Sequence, residues 1–351
     1  MGETADSCPQ PLSKNPYDAF FKSAFSVPEA AADLIRNFLP ASYTKNLSES
    51  EISVEIKDYI NRHLKEHQSD LLVSCRSQER QVRFYFLLEL KSSPERDTLL
   101  QVGRYLFELM YELLEKEHEK PEGPEVSLTP SSAKSRWLPE IVPIIIYHGT
   151  RNWNYSQQFV DHIDCADERA AHLLRFQPVF VNLQSYKDEL FTGSLRAVVS
   201  LMLLKNLSRR LDQQSARKLL DAMYANPVPY YLREFYYRCY EALFQVKSKE
   251  EIDMLFDEFD KAGYTEEKEK AMTFAEVLEQ RGKEEGRVEG EHITLIRQLD
   301  KKFGVSEEEK ELVRQTKDLN KIEAALDEIL DAASKAQVLA HLSGFQGEGE
   351  H

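Results

Sequence analysis

An α/β domain followed by an α-helical C-terminal part is the fold class that the sequence predicts, on three observations. The runs Ser69–Cys75 (SDLLVSC) and Gln81–Lys91 (QVRFYFLLELK) carry aliphatic and aromatic residues at strand spacing, with the polar RSQER turn between them. From Arg96 to Lys116 the spacing becomes helical, with Leu99, Val102, Leu106, Leu109, Met110 and Leu113 on one side. Beyond Asp188 it is helical almost throughout, so strands and helices mix in the front part and helices alone fill the rest.

The elements follow in order. Residues 1–14 are polar, contain Pro9 and Pro11, and read as a disordered tail. A helical stretch spans Pro16 to Phe38 with Phe20, Phe21, Phe25, Leu34, Ile35 and Phe38 as apolar positions; Pro28 should split it and Pro40 end it. Ser48 to His67 is ambiguous, a short strand at Ile52–Ile56 and then one or two helical turns. The Pro-, Ser- and Glu-rich stretch from Lys116 to Ser135 reads as an exposed loop. Ile141–Tyr147 and Val179–Leu183 are short apolar strands, but Pro143 has no N–H for a ladder and should confine the first to an edge or a bulge. Three or four helices reach about Lys261, a charged helix runs from Thr265 to Phe303, and a small helical end closes the chain. The organisation expected is a tail over 1–14, an α/β domain over 15–190, a helical extension over 191–262 and an acidic helical tail over 263–351.

Composition narrows the function classes. The 351 residues are enough for about two domains with a sizeable core. Apolar residues make up 42% and charged residues 30%, as in a globular protein and not a disordered one. The longest apolar run, Ile141–Tyr147, falls far short of the ~20 residues of a membrane span. The start MGETADSCPQ has no basic or apolar segment of a secretory signal, and Asp6 breaks the myristoylation pattern. Cys8, Cys75, Cys165 and Cys239 lack CxxC spacing and read as reduced thiols of a cytoplasmic protein. The formal charge is -15, but residues 1–250 carry only -3 of it and residues 251–351 carry -12. The front part can therefore still hold a local basic groove.

The chemistry concentrates between Asp70 and Lys91. Glu89 and Lys91 stand at i, i+2 on one face at the carboxyl end of an otherwise apolar strand. A two-residue loop at Glu79-Arg80 places Asp70 opposite Glu89 and pairs Leu71 with Leu88, Val73 with Phe86 and Cys75 with Phe84. A four-residue loop shifts Asp70 opposite Leu87 on the same face, whereas a three-residue loop would set charge against core. Two carboxylates at such spacing suit a hard divalent cation, and an adjacent ammonium suits an attacking water or a phosphate. A cross-strand salt bridge at a sheet rim accounts for the same spacing.

The pattern Asp70…Glu89-Leu90-Lys91 resembles the D…(D/E)xK motif of the PD-(D/E)xK nuclease superfamily. Its surroundings resemble one branch, the Rpn recombination-promoting nuclease or YhgA-like transposase family. The matching pieces are DAFFKSAFS (Asp18 to Ser26), NFLP (Asn37 to Pro40), SDLL (Ser69 to Leu72), LLELKSSPERDTLLQVGRYL (Leu87 to Leu106), LPEIVPIIIYHGTRNW (Leu138 to Trp153) and RGKEEGRVEG (Arg281 to Gly290). The resemblance implies a restriction-endonuclease-like mixed sheet flanked by helices. It implies a Mg2+- or Mn2+-dependent DNA endonuclease in which Asp70 and Glu89 bind metal, the Leu90 carbonyl is a third ligand and Lys91 is catalytic. Gln101 stands where related nucleases hold a supporting polar residue, and an exposed helix residue fits that position equally. Two departures stand out: Tyr17 precedes Asp18 where the family leads one to expect His, and ELKS replaces EHQS, toward the catalytic form. A catalytically silent interaction protein on the same fold is the alternative.

Other signals are weaker. His63 and His67 share a helical face without a third ligand, and His148-Gly149 reads as a turn. Arg96 and Arg104 are candidate DNA contacts close to the motif. Gly282, Gly286 and Gly290 recur every four residues, which fits either close helix approach, with a homo-oligomer through the C-terminal helix, or fraying.

Overall fold

The structure is a computed structural model, and the residues described are 15–44, 47, 52–55, 71–76, 83–118, 138–164, 169 and 172–343. The expected tail over 1–14, the His63/His67 pair, Asp70 and residues 119–135 of the loop expected from Lys116 to Ser135 lie outside them, while 116–118 are helical. The chain divides into two compact units, Met1–Ala271 and Met272–His351.

In the first unit, α1 (Pro16–Phe25) and α2 (Pro28–Phe38) are separate helices. Pro28 occupies the first turn of α2, where its missing N–H costs nothing, so it starts a helix instead of breaking one. A single turn, α3 (Ala41–Thr44), follows Pro40. Strands β1 (Ile52–Glu55), β2 (Leu71–Arg76) and β3 (Arg83–Lys91) form an antiparallel meander. The β2–β3 register is Leu71↔Leu88, Val73↔Phe86 and Cys75↔Phe84, the pairing expected for a two-residue connection. Helix α4 (Thr98–His118) then crosses over to β4 (Glu140–Tyr147), which runs parallel to β3, and β5 (Val179–Asn182) lies parallel to β4. The result is a five-stranded mixed sheet in the order β1-β2-β3-β4-β5.

The expectation for Pro143 is corrected. As a whole β4 is not an edge strand, since it sits between β3 and β5, and its ladder to β3 runs unbroken through Pro143↔Leu87. The β5 ladder begins only at Ile144↔Val179, so the proline lies where β4 has a neighbour on its β3 side alone.

Strand β3 is buried on both faces, as its two apolar faces demand. Leu87 packs with Leu99, Val102, Tyr105 and Leu106 of α4 and Ile145 of β4. Phe86 and Leu88, on the other face, are also buried. Helices α5 (Leu195–Leu207), α6 (Gln213–Tyr224), α7 (Arg233–Val246) and α8 (Lys249–Ala262) complete this unit. α5 is apolar almost all round, and it touches α1, α2, α6 and α7.

The charged helix α9 (Thr265–Phe303) has the span expected. In the second unit its C-terminal half packs with α10 (Glu307–Gln315), α11 (Leu319–Asp331) and α12 (Lys335–Ser343) around Leu295, Leu299, Val313, Ile322, Ile329 and Val338. α9 is helical through Gly282, Gly286 and Gly290, and a Cβ added at any of them meets nothing within 4 Å. Close packing of another described element is therefore not the reason for these glycines. None of the helices among the described residues is long and apolar enough to cross a membrane.

Candidate active site at the carboxyl end of the sheet

Strand period places Glu89 and Lys91 on the face of β3 that α4 covers, one and two steps beyond Leu87. The turn after Lys91 brings the chain directly into α4, whose first turns face back over the strand end. There the Gln101 N–H donates to the Asp97 carbonyl at 2.9 Å. The end of β4 is pressed against the same turn. The His148 N–H donates to the Lys91 carbonyl at 3.0 Å. A Cβ on Gly149 would lie 2.1 Å from the Ser92 carbonyl oxygen, so only glycine fits there.

The Lys91 ammonium meets three acceptors. Glu89 Oε1 lies at 3.2 Å, Glu95 Oε2 at 3.3 Å and Gln101 Oε1 at 2.9 Å. An ammonium has three N–H donors, so this set matches its capacity. Gln101 in turn donates from Nε2 to the Tyr105 hydroxyl at 2.8 Å, which fixes its amide with the oxygen toward the lysine. Glu95 also accepts from Ser93 Oγ at 3.2 Å. The other oxygen of Glu89, Oε2, is buried without a hydrogen-bond donor among the described residues.

Burial dominates the electrostatics. Glu89 is 3% exposed, and desolvation pushes its carboxyl up to about 7 against the pull of Lys91, with Asp18 and Glu95 adding to the rise. For Lys91 burial works downward, but the carboxylates of Glu89 and Glu95 outweigh it and hold the ammonium above its ordinary value. Asp18 stands in the first turn of α1, bonded by Asn15 Nδ2 at 2.6 Å. Burial raises its carboxyl too, while Lys22 and Lys91 oppose the rise. His148 is buried next to the site. Its ring lies 4.9 Å from that of Tyr17, its Nδ1 is bonded to Ser208 Oγ, and burial lowers its pKa to about 4. It is therefore a neutral packed imidazole at the end of β4.

Of the residues singled out from sequence, Glu89, Lys91 and Gln101 come together, and Asp70 lies outside the described residues. Among the described residues no group of three His, Cys, Asp or Glu side chains is placed to hold a metal ion. Arg104 pairs along the helix with Glu108 at 2.8 Å. Sequence reasoning named Asp18 without assigning it a role, and it missed Glu95 and Tyr105. Tyr105, at i+4 from Gln101 on one helix, was within reach of a spacing argument, whereas Glu95 lies in the turn between β3 and α4, where no period applies. The role of Asp18 was out of reach, because only the tertiary fold brings α1 to this strand end.

The family described as "Putative transposase, YhgA-like" matches residues 15–227. The "Inactive recombination-promoting nuclease-like protein RpnE" of Escherichia coli (strain K12) is 24% identical over 286 residues, covering 81% of this chain and 88% of that protein. "Recombination-promoting nuclease RpnC" of the same strain is 27% identical over 137 residues, 39% of this chain and 40% of RpnC. "Recombination-promoting nuclease RpnD" of Escherichia coli O157:H7 is 24% identical over 211 residues, 59% of this chain and 72% of RpnD. No solved structure matches. Since the family match spans well over half of the sequence, the chain belongs to the YhgA-like putative transposase family and is a distant homologue of the Escherichia coli Rpn recombination-promoting nucleases.

Proposed function

We propose that this protein is a metal-dependent DNA endonuclease of the PD-(D/E)xK type that hydrolyses phosphodiester bonds in a recombination or mobile-element context. The observation that carries the reading is the buried Glu89–Lys91 pair at the carboxyl end of β3, with one Glu89 oxygen left without a donor among the described residues. A buried carboxylate oxygen without a donor is costly, and a hard cation such as Mg2+ or Mn2+ relieves that cost. Glu89 and Asp70 would hold such a cation, with the Leu90 carbonyl beside them. When bound, it would supply positive charge and Lewis acidity at the phosphate.

The chain's own groups divide the remaining work. Lys91 orients the attacking water and offsets the charge that develops on the phosphate oxygens. Gln101 holds the ammonium in place, and Tyr105 holds Gln101. That RpnC and RpnD are described as recombination-promoting nucleases supports DNA as the substrate class. That RpnE is described as inactive supports a second reading, a catalytically silent protein on the same scaffold.

Incubation of the purified chain with supercoiled plasmid separates the two. Nicking is expected with Mg2+ or Mn2+, abolished by chelator and by Lys91→Ala. A wild-type protein that leaves the plasmid intact with either metal establishes the silent reading.

A further inference from the structure

Several surface cations of the first unit are matched to carboxylates. Lys218 meets Glu189, Lys261 meets Glu258 and Lys270 meets Glu266, each at 2.6 Å. Arg151 and Arg210 are different. Both residues are exposed, and neither side chain has an ion pair or hydrogen bond among the described residues. Both also stand on loops fastened to the strand end that carries Lys91.

The first loop follows β4. Its His148 N–H donates to the Lys91 carbonyl at 3.0 Å, and Gly149 is pressed against the Ser92 carbonyl. The Arg151 carbonyl accepts from the Tyr147 hydroxyl at 2.7 Å, and the Trp153 ring packs 5.2 Å from that of Tyr147. Residues 148–158 contain no Asp or Glu, so nothing in the loop offsets the arginine.

The second loop joins α5 to α6. Ser208 Oγ is bonded to His148 Nδ1, and Gln184 Nε2 donates to the His148 carbonyl at 2.7 Å and the Lys205 carbonyl at 2.9 Å. These bonds tie the end of α5 to the end of β4. The Arg209 carbonyl accepts from Lys247 Nζ at 2.5 Å, and the Leu211 N–H donates to Glu251 Oε1 at 2.6 Å. Arg210 lies between these two anchored residues. The Arg209 guanidinium is held by neutral acceptors, Asn206 Oδ1 at 3.0 Å and Ser215 Oγ at 2.9 Å. Asp212 caps α6, accepting from the Ser215 N–H at 2.8 Å, and leaves the loop net basic. The turn after β3 adds no such excess, because Lys91 engages Glu95 and Asp97 adjoins Arg96.

Arg151 and Arg210 thus combine a backbone fixed on both sides with a charged head that no described group engages. A guanidinium matches phosphate oxygens two at a time, and a fixed backbone lowers the ordering cost of that contact. We propose that Arg151 and Arg210 grip backbone phosphates of a DNA duplex next to the phosphate presented to Lys91. The proposal rests on the nuclease reading for its substrate class and adds the residues that hold that substrate.

Fluorescence anisotropy of a short labelled duplex tests it, in chelator and again in Ca2+, over a NaCl series. Arg151→Ala and Arg210→Ala should each weaken binding about threefold to tenfold and lower the salt slope by about 0.9, the share of one phosphate. Their melting temperatures should match the wild type, since both residues are exposed. Lys270→Ala removes the same charge from a paired site and should leave affinity and slope nearly unchanged. Wild-type affinity and slope in either arginine variant overturns the proposal, as does a wild type that binds no duplex in either buffer. An equal loss from Lys270→Ala also overturns it, since net charge and not contact would then set the affinity. Tighter binding of an RNA duplex of the same sequence overturns the DNA assignment. Plasmid nicking by the wild type in Mg2+ is scored separately. Binding through both arginines without nicking sustains the proposal and removes the endonuclease reading, whereas nicking with unaltered binding in the variants removes the proposal alone.

Discussion

Lys91 and Gln101 come from different elements, yet the lysine ammonium donates to the glutamine carbonyl oxygen at 2.9 Å. The contact ties the last residue of β3 to the first turns of α4 and leaves the ammonium beside Glu89, where a single displaced side chain would misplace it. Substituting the lysine and the two carboxylates should therefore have separable effects. Lys91→Ala should lose plasmid nicking by about 100- to 10,000-fold, the range of a positioned acid/base group, with Mn2+ affinity retained. Glu89→Gln and Asp70→Asn should lose both nicking and Mn2+ affinity. Titration of Mn2+ by electron paramagnetic resonance beside a nicking assay reads the two properties. Equal nicking by Lys91→Ala and wild type would remove the lysine from the mechanism.

Tyr105→Phe tests the relay one step further out. Removing the hydroxyl frees the Gln101 amide that it orients, at the cost of one hydrogen bond of about 1 kcal/mol. Nicking should slow roughly threefold to tenfold, with KM for plasmid little changed and the melting temperature within a few degrees. A change in KM alone would show that Tyr105 serves the fold or DNA contact and not the lysine.

Glu95 shares Lys91 but is about half exposed, and solvent screens its pull. Glu95→Gln should alter the nicking rate by less than about threefold, in contrast to Glu89→Gln. A loss as deep as that of Glu89→Gln would move Glu95 into the machinery.

Stability in metal-free buffer should depend on pH through two buried groups with opposite sign. Glu89 is raised from 4.5 to about 7, so between those values the folded chain holds a proton that the unfolded chain has released. That stabilisation is present at low pH and is lost as pH rises through about 7. His148 is lowered from 6.5 to about 4, so the unfolded chain takes up the proton first, and its contribution is lost as pH falls from 6.5 toward 4. Glu89→Gln should raise the melting temperature at pH 8 more than at pH 5. His148→Gln should flatten the acid limb between pH 6.5 and 4. Parallel melting curves for wild type and Glu89→Gln across pH 5 to 8 would contradict the burial of a charged Glu89.

Much of the fold was legible because local pattern and long-range pairing agreed. The apolar residues of Leu71–Cys75 and Phe84–Leu88 allow only registers that keep core against core, and the observed β2–β3 ladder is one of those derived. The E-x-K spacing likewise forces Glu89 and Lys91 onto one face of any strand. The helical span of α4 follows from an apolar period that nothing nearby contradicts, whereas α9 stays helical despite Gly282, Gly286 and Gly290. Pro143 shows the limit. Its missing N–H is a local fact, but whether that matters depends on where β5 begins to pair, one residue later.

The site divides in the same way. Residue identity and strand period determined the carboxylate, the ammonium and their common face. Tertiary structure decided what surrounds them: Asp18 arrives on α1 from seventy residues upstream, and Tyr105 turns inward to hold Gln101. It also decided that Glu89 is buried deeply enough for desolvation to push its carboxyl up to about 7. Desolvation is a property of everything packed around a group, and no spacing along the chain encodes it.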